Sequence, residues 1–532
     1  MSSNYGSIEQ TNVEDDQNIT NNDEFAIENL KGSKNNIIGW YFYSFSSEPF
    51  VVSAVATYIP ILLEEFARKN GVSLDDHTLK CTSAMDKCVL GLFDNRLYID
   101  TSSFALFTFS ISVFFQTLVV ISVSGIVDVW KSVQFRRNII LLFGSLGALS
   151  TILISQLGNQ QFYLLAALAV ISNSCYGVVN VVGNSLLPIF VSESLKYDSN
   201  IKTDIDTQVT VVSGYGASIG YSAALLVQTA SLYIVGSKKR RGDLQSATFF
   251  VGIWWLLFQL PMYWLINDQK VAPQQDTQPN DNMRKRHSST FKLSYIKYGW
   301  ISLFKALQNA RLLKDVVIFL IGWFILSDSV TTINSTAILF AKSELKMGTV
   351  GLIILSILTM VNAIFGASLI PQYIAKTFHK PPQTILIYLI CWASVIPAYG
   401  ILGFFFNSIG LKHPFEMYIM SVWYGISLGG LSAVSRSTFS LIIPKGKEST
   451  FFSLFSVTDK GSSILGPFLI GLLTDKTHQI RYGFFLLFIF LMLSLPIFSC
   501  LNVTRGKKEA VALSYIESEV ENGETNESTR VN

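Results

Sequence analysis

Twelve blocks of apolar residues, each about twenty long, recur along the 532-residue chain and restrict its fold more than any other feature. A helix rising about 1.5 Å per residue needs roughly twenty such residues to cross a hydrocarbon core of about 30 Å. Only 14% of the residues are charged, where a soluble protein carries roughly 25%, and half are hydrophobic. The expectation is an all-α polytopic membrane protein, which sets aside a soluble enzyme.

Read in order, the chain opens with a polar, acidic stretch (1–38) with no apolar core of a signal peptide, expected to be a disordered tail. Spans 1 to 6 follow at about 39–62, 103–127, 138–156, 162–190, 208–235 and 247–266. A long hydrophilic segment (267–315) contains the basic run Arg284-Lys285-Arg286-His287, and its second half, Tyr295–Leu313, is a candidate amphipathic helix. Spans 7 to 12 lie at about 316–341, 349–370, 385–406, 415–443, 450–472 and 482–500, and 501–532 is a second polar tail. The predicted domains are therefore a six-helix half at 39–266, a central loop at 267–315 and a second six-helix half at 316–500.

With an even number of spans both tails share one side. Of the 40 Lys and Arg, 24 fall in loops and tails on that side and 14 on the other, so the excess of cations places both tails in the cytosol. The run Lys238-Lys239-Arg240-Arg241 falls on the opposite side, against the trend. The net charge of +3 is too small to call for nucleic acid. Cys81 and Cys88 share one polar loop and are the one plausible disulfide, in a loop facing an oxidising compartment; two free thiols is the alternative. No His, Cys, Asp and Glu spacing suggests a metal, no Ser-His-Asp set suggests hydrolysis, and no cofactor motif is present.

The informative residues are polar ones inside apolar spans. A cation there costs at least about 2.5–3.5 kcal/mol, so it is normally paired or lines a wet cavity. Arg436 in span 10 and Lys460 in span 11 are two such cations; Glu48 in span 1 and Asp328 in span 7 are acids at matched depth in the two halves. When Pro188 and Pro444 are aligned, Asn180 falls opposite Arg436 and Asn184 opposite Ser440, a trace of parallel repeats. Asn173, Gly177, Asn180 and Asn184 share one helical face, as do Asp328, Thr331, Thr332 and Ser335, and likewise Trp40, Ser44, Ser47 and Glu48. These stripes read either as the lining of a common cavity or as hydrogen bonds between helices, and an Asp328–Arg436 ion pair could be architectural. Gly216 and Gly220 form a GxxxG in span 5, echoed by Gly461 and Gly466 in span 11. Spans 5 and 11 are thus expected to pack across the seam between halves, with Lys460 beside Asp459 in that seam. Asp128, Lys131, Arg136 and Arg137 cluster in the turn after span 2, either latching one conformation or supplying ordinary cytosolic charge.

Twelve spans, a central loop and that basic turn resemble the major facilitator superfamily, although Ser124 stands where its G-x-x-x-D pattern has glycine. More specifically, GWYFYSFSSEPF (39–50), SGIVD (124–128), VNVVGNSLLPIF (179–190), SGYGASIGYS (213–222), FLIGWFILSDSVTTINSTA (319–337), GGLSAVSRSTFSLIIP (429–444) and KESTFFSLFSVTDKGSSILGPFLIGLLTDK (447–476) resemble the fungal autophagy-related protein twenty-two family. The resemblance implies a vacuole membrane location and efflux of neutral amino acids such as leucine, isoleucine and tyrosine after autophagic degradation.

A transporter of that kind works by alternating access of its two halves. A zwitterionic substrate needs an anion for its ammonium, Asp328 or Glu48, and a cation for its carboxylate, for which the planar fork of Arg436 is suited. Asn180, Asn184 and Thr331 can take remaining hydrogen bonds. Glu48 is also a candidate proton carrier, so protons are a possible second cargo. The competing readings are a non-transporting vacuolar scaffold or receptor, and a transporter of peptides, sugars or lipid.

Overall fold

The computed structural model describes residues 6–73, 79–81, 88–93, 96–130, 132–198, 204–237, 243–269, 300–301, 313–347, 349–375, 377, 380–463, 465–477 and 479–515. The basic run at 284–287 and nearly all of the candidate amphipathic helix lie outside them. Trp300 is described, and its indole donates to Ser122 (3.1 Å).

Ten helices among the described residues are long and apolar enough to cross a membrane. They correspond to spans 1 to 7, 9, 10 and 12. Span 8 is the helix Thr349–Leu369, continued by a π-helix to Ala375, and span 11 is a broken pair, Glu448–Ser462 and Leu465–Thr477. Every expected span thus coincides with helix. Inside a bilayer no water satisfies backbone groups, so helical closure is what an apolar run of this length requires.

Proline shapes two of the spans. It has no N–H to give and its ring collides with the carbonyl four residues back. Beside Pro49 and at Pro371 the helix widens into π geometry, Phe50–Tyr58 in span 1 and Ile370–Ala375 in span 8. Span 1 consequently runs without interruption as α (Gly6–Pro49), π and α again (Ile59–Asn70). Glu48 sits directly before the widened turn, a kind of irregularity often found at functional sites.

The terminal segments differ from expectation. The expected disordered tail is helical from Gly6 onward, and its later part is anchored: Asn29, Ser33 and Asn36 are buried. Asn36 donates to Glu193 and to the Asn267 carbonyl (3.4 and 3.1 Å), and Lys34 pairs with Asp198 (3.1 Å). These are contacts to the ends of spans 4 and 6, which a polar sequence conceals because the helix docks through amides rather than apolar side chains. At the other terminus, residues 503–515 form a helix with Val503, Ala510 and Leu513 buried, an amphipathic stripe. Arg505 forms two hydrogen bonds to Asp315 (2.7 and 2.8 Å), and that carboxylate holds the guanidinium above its usual pKa. Lys507 reaches Asp206 at the start of span 5. The C-terminal helix therefore touches both halves, on the same face as the N-terminal segment. That side is the terminal face.

The opposite face carries a three-stranded antiparallel sheet in the order β1 (Val72–Ser73), β2 (Cys88–Leu92), β3 (Leu97–Asp100), with Leu90 opposite Ile99. Cys81 and Cys88 are joined as a disulfide at the first residue of the central strand β2, and Cys175, Cys391 and Cys500 are free.

Spans 5 and 11 both pack across the seam, as expected, whereas Gly216, Gly220 and Gly466 face helices of their own half. Span 5 (Ile205–Ser237) meets spans 8 and 10. Thr210 donates to Ser437 (3.1 Å), Ser213 to the Ala433 carbonyl (2.8 Å) and Ser218 to the Ile364 carbonyl (3.0 Å). Span 11 meets spans 2 and 4. Gly216 and Gly220 face span 1 within their own half: a Cβ on Gly216 would stand 2.3 Å from the Trp40 ring, and one on Gly220 would stand 3.1 Å from the Glu48 side chain. Gly466 packs on Asp328 and Thr332 of span 7, also within its own half, and Gly461 has nothing within 4 Å of its Cβ direction. Small residues announce close approach but not to which neighbour.

Candidate functional site

Span 1 and span 10 belong to different halves, and their charged residues lie within electrostatic range of one another in the interior. Glu48 lies within electrostatic reach of both Arg436 and Lys460. The Arg436 guanidinium carbon lies 5.9 Å from the Trp40 ring centroid, near enough for a cation–π contact. Trp40 is itself fixed, its indole donating to the Gly183 carbonyl (2.8 Å) and its ring lying on Gly216. The GxxxG thus serves the site: two missing side chains let span 5 press Trp40 and Glu48 into place.

Arg436 Nη1 is buried and has no hydrogen-bond partner, and no ion pair within 4.0 Å joins Arg436 to Glu48 among the described residues. Guanidinium carries five N–H donors and no acceptor. Leaving a buried donor unmatched costs about 1–3 kcal/mol, more when it is charged. The arrangement is complete in its packing and deficient by at least one acceptor.

Tyrosines close in around this pair. Tyr43 interacts electrostatically with Arg436 and Glu48, and its hydroxyl donates to Asn180 Oδ1 (2.9 Å). Asn184 in turn donates to the same oxygen (2.8 Å). The span 4 amides therefore hold Tyr43 at the edge of the charged centre. Tyr221 of span 5 also feels Glu48 and Arg436, and its hydroxyl donates to Ser432 (3.1 Å), one turn from Arg436.

Other expected site residues lie elsewhere. Asp328 does not pair with Arg436: its Oδ1 accepts the Gly466 N–H (2.9 Å) and the Thr332 hydroxyl (3.5 Å). It satisfies a backbone donor freed where span 11 breaks, because the first N–H groups of a new helix have no partner of their own. Thr331 is exposed to the cavity described below. Lys460 is 3.8 Å from Asp459 with a third of its side chain exposed, on a helix that packs across the seam, and it lies within electrostatic range of Glu48. Asp459 is also held by Ser327 (2.5 Å) and the Trp323 indole (3.2 Å). Of the surrounding residues, Trp40 was detectable from the face it shares with Glu48. Tyr43 and Tyr221 gave no signal, since tyrosines are frequent in such spans.

On the side of the sheet, a cavity of about 420 Å³ opens between the halves, lined among others by Val51, Thr57, Gln228, Thr331, Asn334 and Tyr424. On the terminal face the halves are joined instead. Arg136 is buried and contacts Glu448 (3.1 Å), Asp128 (3.5 Å) and Ser185 (2.9 Å). Asp128 accepts the backbone N–H groups of Ser449 and Thr450 (3.0 and 2.7 Å) at the start of span 11, where the helix dipole favours an anion. These contacts tie the two halves together on this face, with Ser124 standing at the expected glycine position. Arg137 stays in its own half, donating to the Tyr263 and Ile266 carbonyls (2.8 and 2.9 Å). No group of three His, Cys, Asp or Glu among the described residues is placed to hold a metal.

Known proteins resemble both the fold and the sequence. The proton:xylose symporter XylE of the major facilitator superfamily superposes with a TM-score of 0.58 at 12% identity, covering 91% of this chain and 98% of that one. A bacterial homologue of the iron transporter ferroportin, in an outward-facing state, superposes with a TM-score of 0.53 at 14% identity, covering 88% and 98%. These show a major facilitator fold. In sequence, autophagy-related protein 22 of Vanderwaltozyma polyspora is 65% identical over 500 residues, covering 93% of this chain and 96% of that protein. The Saccharomyces cerevisiae protein of the same name is 57% identical over 532 residues, covering 97% and 99%. With the family described as "Vacuole effluxer Atg22 like" matching residues 32–511, the chain belongs to that family of membrane transport proteins.

Proposed function

We propose that the protein sits in the vacuole membrane with both termini in the cytosol and exports neutral amino acids from the lumen by alternating access. The observation that carries this reading is the unmatched buried donor of Arg436 within reach of Glu48. A zwitterion supplies what is missing: its carboxylate meets Arg436 in a charge-assisted bond, and its ammonium meets Glu48. In this reading the contacts at the terminal face and the cavity on the other side correspond to a state open toward the lumen. Release to the cytosol requires the Arg136–Glu448 and Asp128–span 11 contacts to part, a discrete two-state rearrangement of the rigid-body kind. In the accompanying reading Glu48 takes a proton from an acidic lumen and export is proton-coupled.

The family relationship supports a vacuolar effluxer, and the unmatched donor argues against a scaffold, which has no need to keep one. The test is efflux from isolated vacuoles with and without the protein, comparing leucine, lysine and a dipeptide. Protein-dependent leucine efflux with little lysine or dipeptide efflux is expected. Equal leucine loss from both preparations would refute the proposal, and leucine efflux indifferent to an imposed proton gradient would remove the coupling.

A further inference from the structure

We propose that the tip of the β2–β3 hairpin docks on the phospholipid surface on the sheet side of the bilayer. Phe93 and Leu97 insert among the headgroups there and anchor the first half in that leaflet.

The tip is held at the edge of the membrane. Tyr163 lies in the first turn of span 4 (Phe162–Tyr197), so its ring stands where that span leaves the hydrocarbon, the level at which Tyr and Trp rings gather. The Phe93 backbone N–H donates to its hydroxyl (3.0 Å). At the same level the Phe104 and Phe162 rings meet edge-on, with centroids 5.9 Å apart, which sets the first turns of spans 2 and 4 side by side. The turn itself is closed by the Arg96 N–H on the Leu92 and Phe93 carbonyls (3.1 and 3.3 Å).

What the tip presents is apolar. Phe93 is 68% exposed and Leu97 51%. On spans 2 and 4 the side chains of Phe107, Phe114 and Leu164 are exposed as well, and lipid is what covers such groups on a span, so the tip continues a surface that already faces the bilayer. Arg96, exposed in the same turn, adds a cation whose planar fork suits lipid phosphate. The backbone gives a second argument. Phe93 has a φ of 51°, in the left-handed region that glycine enters freely and a bulky side chain only at a cost. A turn that holds a phenyl ring outward at such a position needs a compensating gain, and burial of the ring in the interfacial layer supplies it.

A sheet on this face could instead be a lid over the cavity between the halves. None of its described residues lines that cavity, and the sheet packs on the ends of spans 1 and 2. Span 1 ends at Asn70 and β1 begins at Val72, while β3 passes directly into span 2 at Thr101. The Cys81–Cys88 disulfide ties the segment after β1 to the start of β2. A docked tip therefore holds the sheet-side ends of spans 1 and 2 at a fixed depth.

The experiment places an environment-sensitive fluorophore on Phe93→Cys in the full-length protein, reconstituted in phosphatidylcholine vesicles. The background is Cys391→Ser, Cys500→Ser; Cys175 is buried, and Cys81 and Cys88 are bridged. A nitroxide on the lipid near the headgroup should quench the dye at least about threefold more than one at the chain end, matching an insertion of about 5–10 Å. Aqueous iodide should quench it severalfold less than the free dye. Leu97→Cys should give the same pattern, which guards against a disturbance peculiar to position 93. Iodide quenching at both positions as strong as that of the free dye shows a tip standing in water. Quenching by neither lipid nor iodide shows a protein surface covering it, a second copy or another chain. Either result overturns the anchor, as does stronger quenching from the chain end.

Discussion

Asp128→Asn tests the terminal-face latch most directly. The carboxylate accepts two backbone N–H groups at the start of span 11 (3.0 and 2.7 Å) and touches buried Arg136 (3.5 Å). The amide keeps one acceptor, surrenders the second bond and the charge, and leaves Arg136 with Glu448 and the neutral Ser185 hydroxyl. A hydrogen bond to a charged group is worth about 1.5–3 kcal/mol, and removing one partner of a buried ion pair costs about 3–5 kcal/mol. A net loss of about 3 kcal/mol is a fair expectation. Asp128 and Arg136 come from the first half and Ser449, Thr450 and Glu448 from the second, so the loss falls on the conformation closed at this face. The equilibrium then shifts toward the open conformation by roughly 100-fold. A cysteine at Thr210, buried against Ser437 between spans 5 and 10, reports on it through an impermeant thiol reagent applied from the cytosolic side. The labelling rate should rise by up to roughly 100-fold in Asp128→Asn. A cysteine at Thr151, buried within the first half, should stay unlabelled. A rate within threefold of the parent, or labelling of both positions, would refute the latch, the second by showing general loosening instead.

Three further outcomes follow from the geometry. Arg436→Lys keeps the charge and loses the planar fork; leucine efflux should fall at least tenfold with the protein still abundant in the vacuole membrane, and wild-type rates would eliminate the carboxylate role. Asp328→Asn should act on stability before transport, costing about 1–3 kcal/mol as the Gly466 N–H loses a charged acceptor; thermal unfolding in detergent reads this, and lost transport at unchanged stability would return Asp328 to the binding site. Lys507→Glu should break the bond of the C-terminal helix to Asp206, and Asp206→Lys in the same chain should restore it. This partly exposed pair is worth little, so Thr210→Cys labelling should rise no more than about fivefold in the single variant and return in the double.

The spans were readable because a bilayer leaves the backbone one economical solution: any long apolar run must close its own hydrogen bonds. Glu48 and Arg436 stood out for a related reason, since a charge in an apolar helix costs too much to be idle. The same reasoning treated Asp328 and Lys460 alike, and there it reached its limit. The cost of a buried charge is written in the sequence, but its partner is not. Asp328 is satisfied by a backbone N–H of span 11, a donor every residue but proline carries and which therefore leaves no mark. Gly216 and Gly220 likewise announced close packing while leaving open what they press against, and the N-terminal segment read as a tail because its docking contacts are amides and one ion pair.

From sequence alone came the number and order of the spans, the halves as a proposal, and the two charges on which the site is built, all consequences of local solvation that each segment meets by itself. Which helices pair across the seam, that Arg436 keeps an unmatched donor beside Trp40, and that a cavity opens between the halves on the side of the sheet were decided by tertiary structure. These depend on residues hundreds of positions apart meeting at particular distances, and no periodicity within one helix records where its neighbours will be.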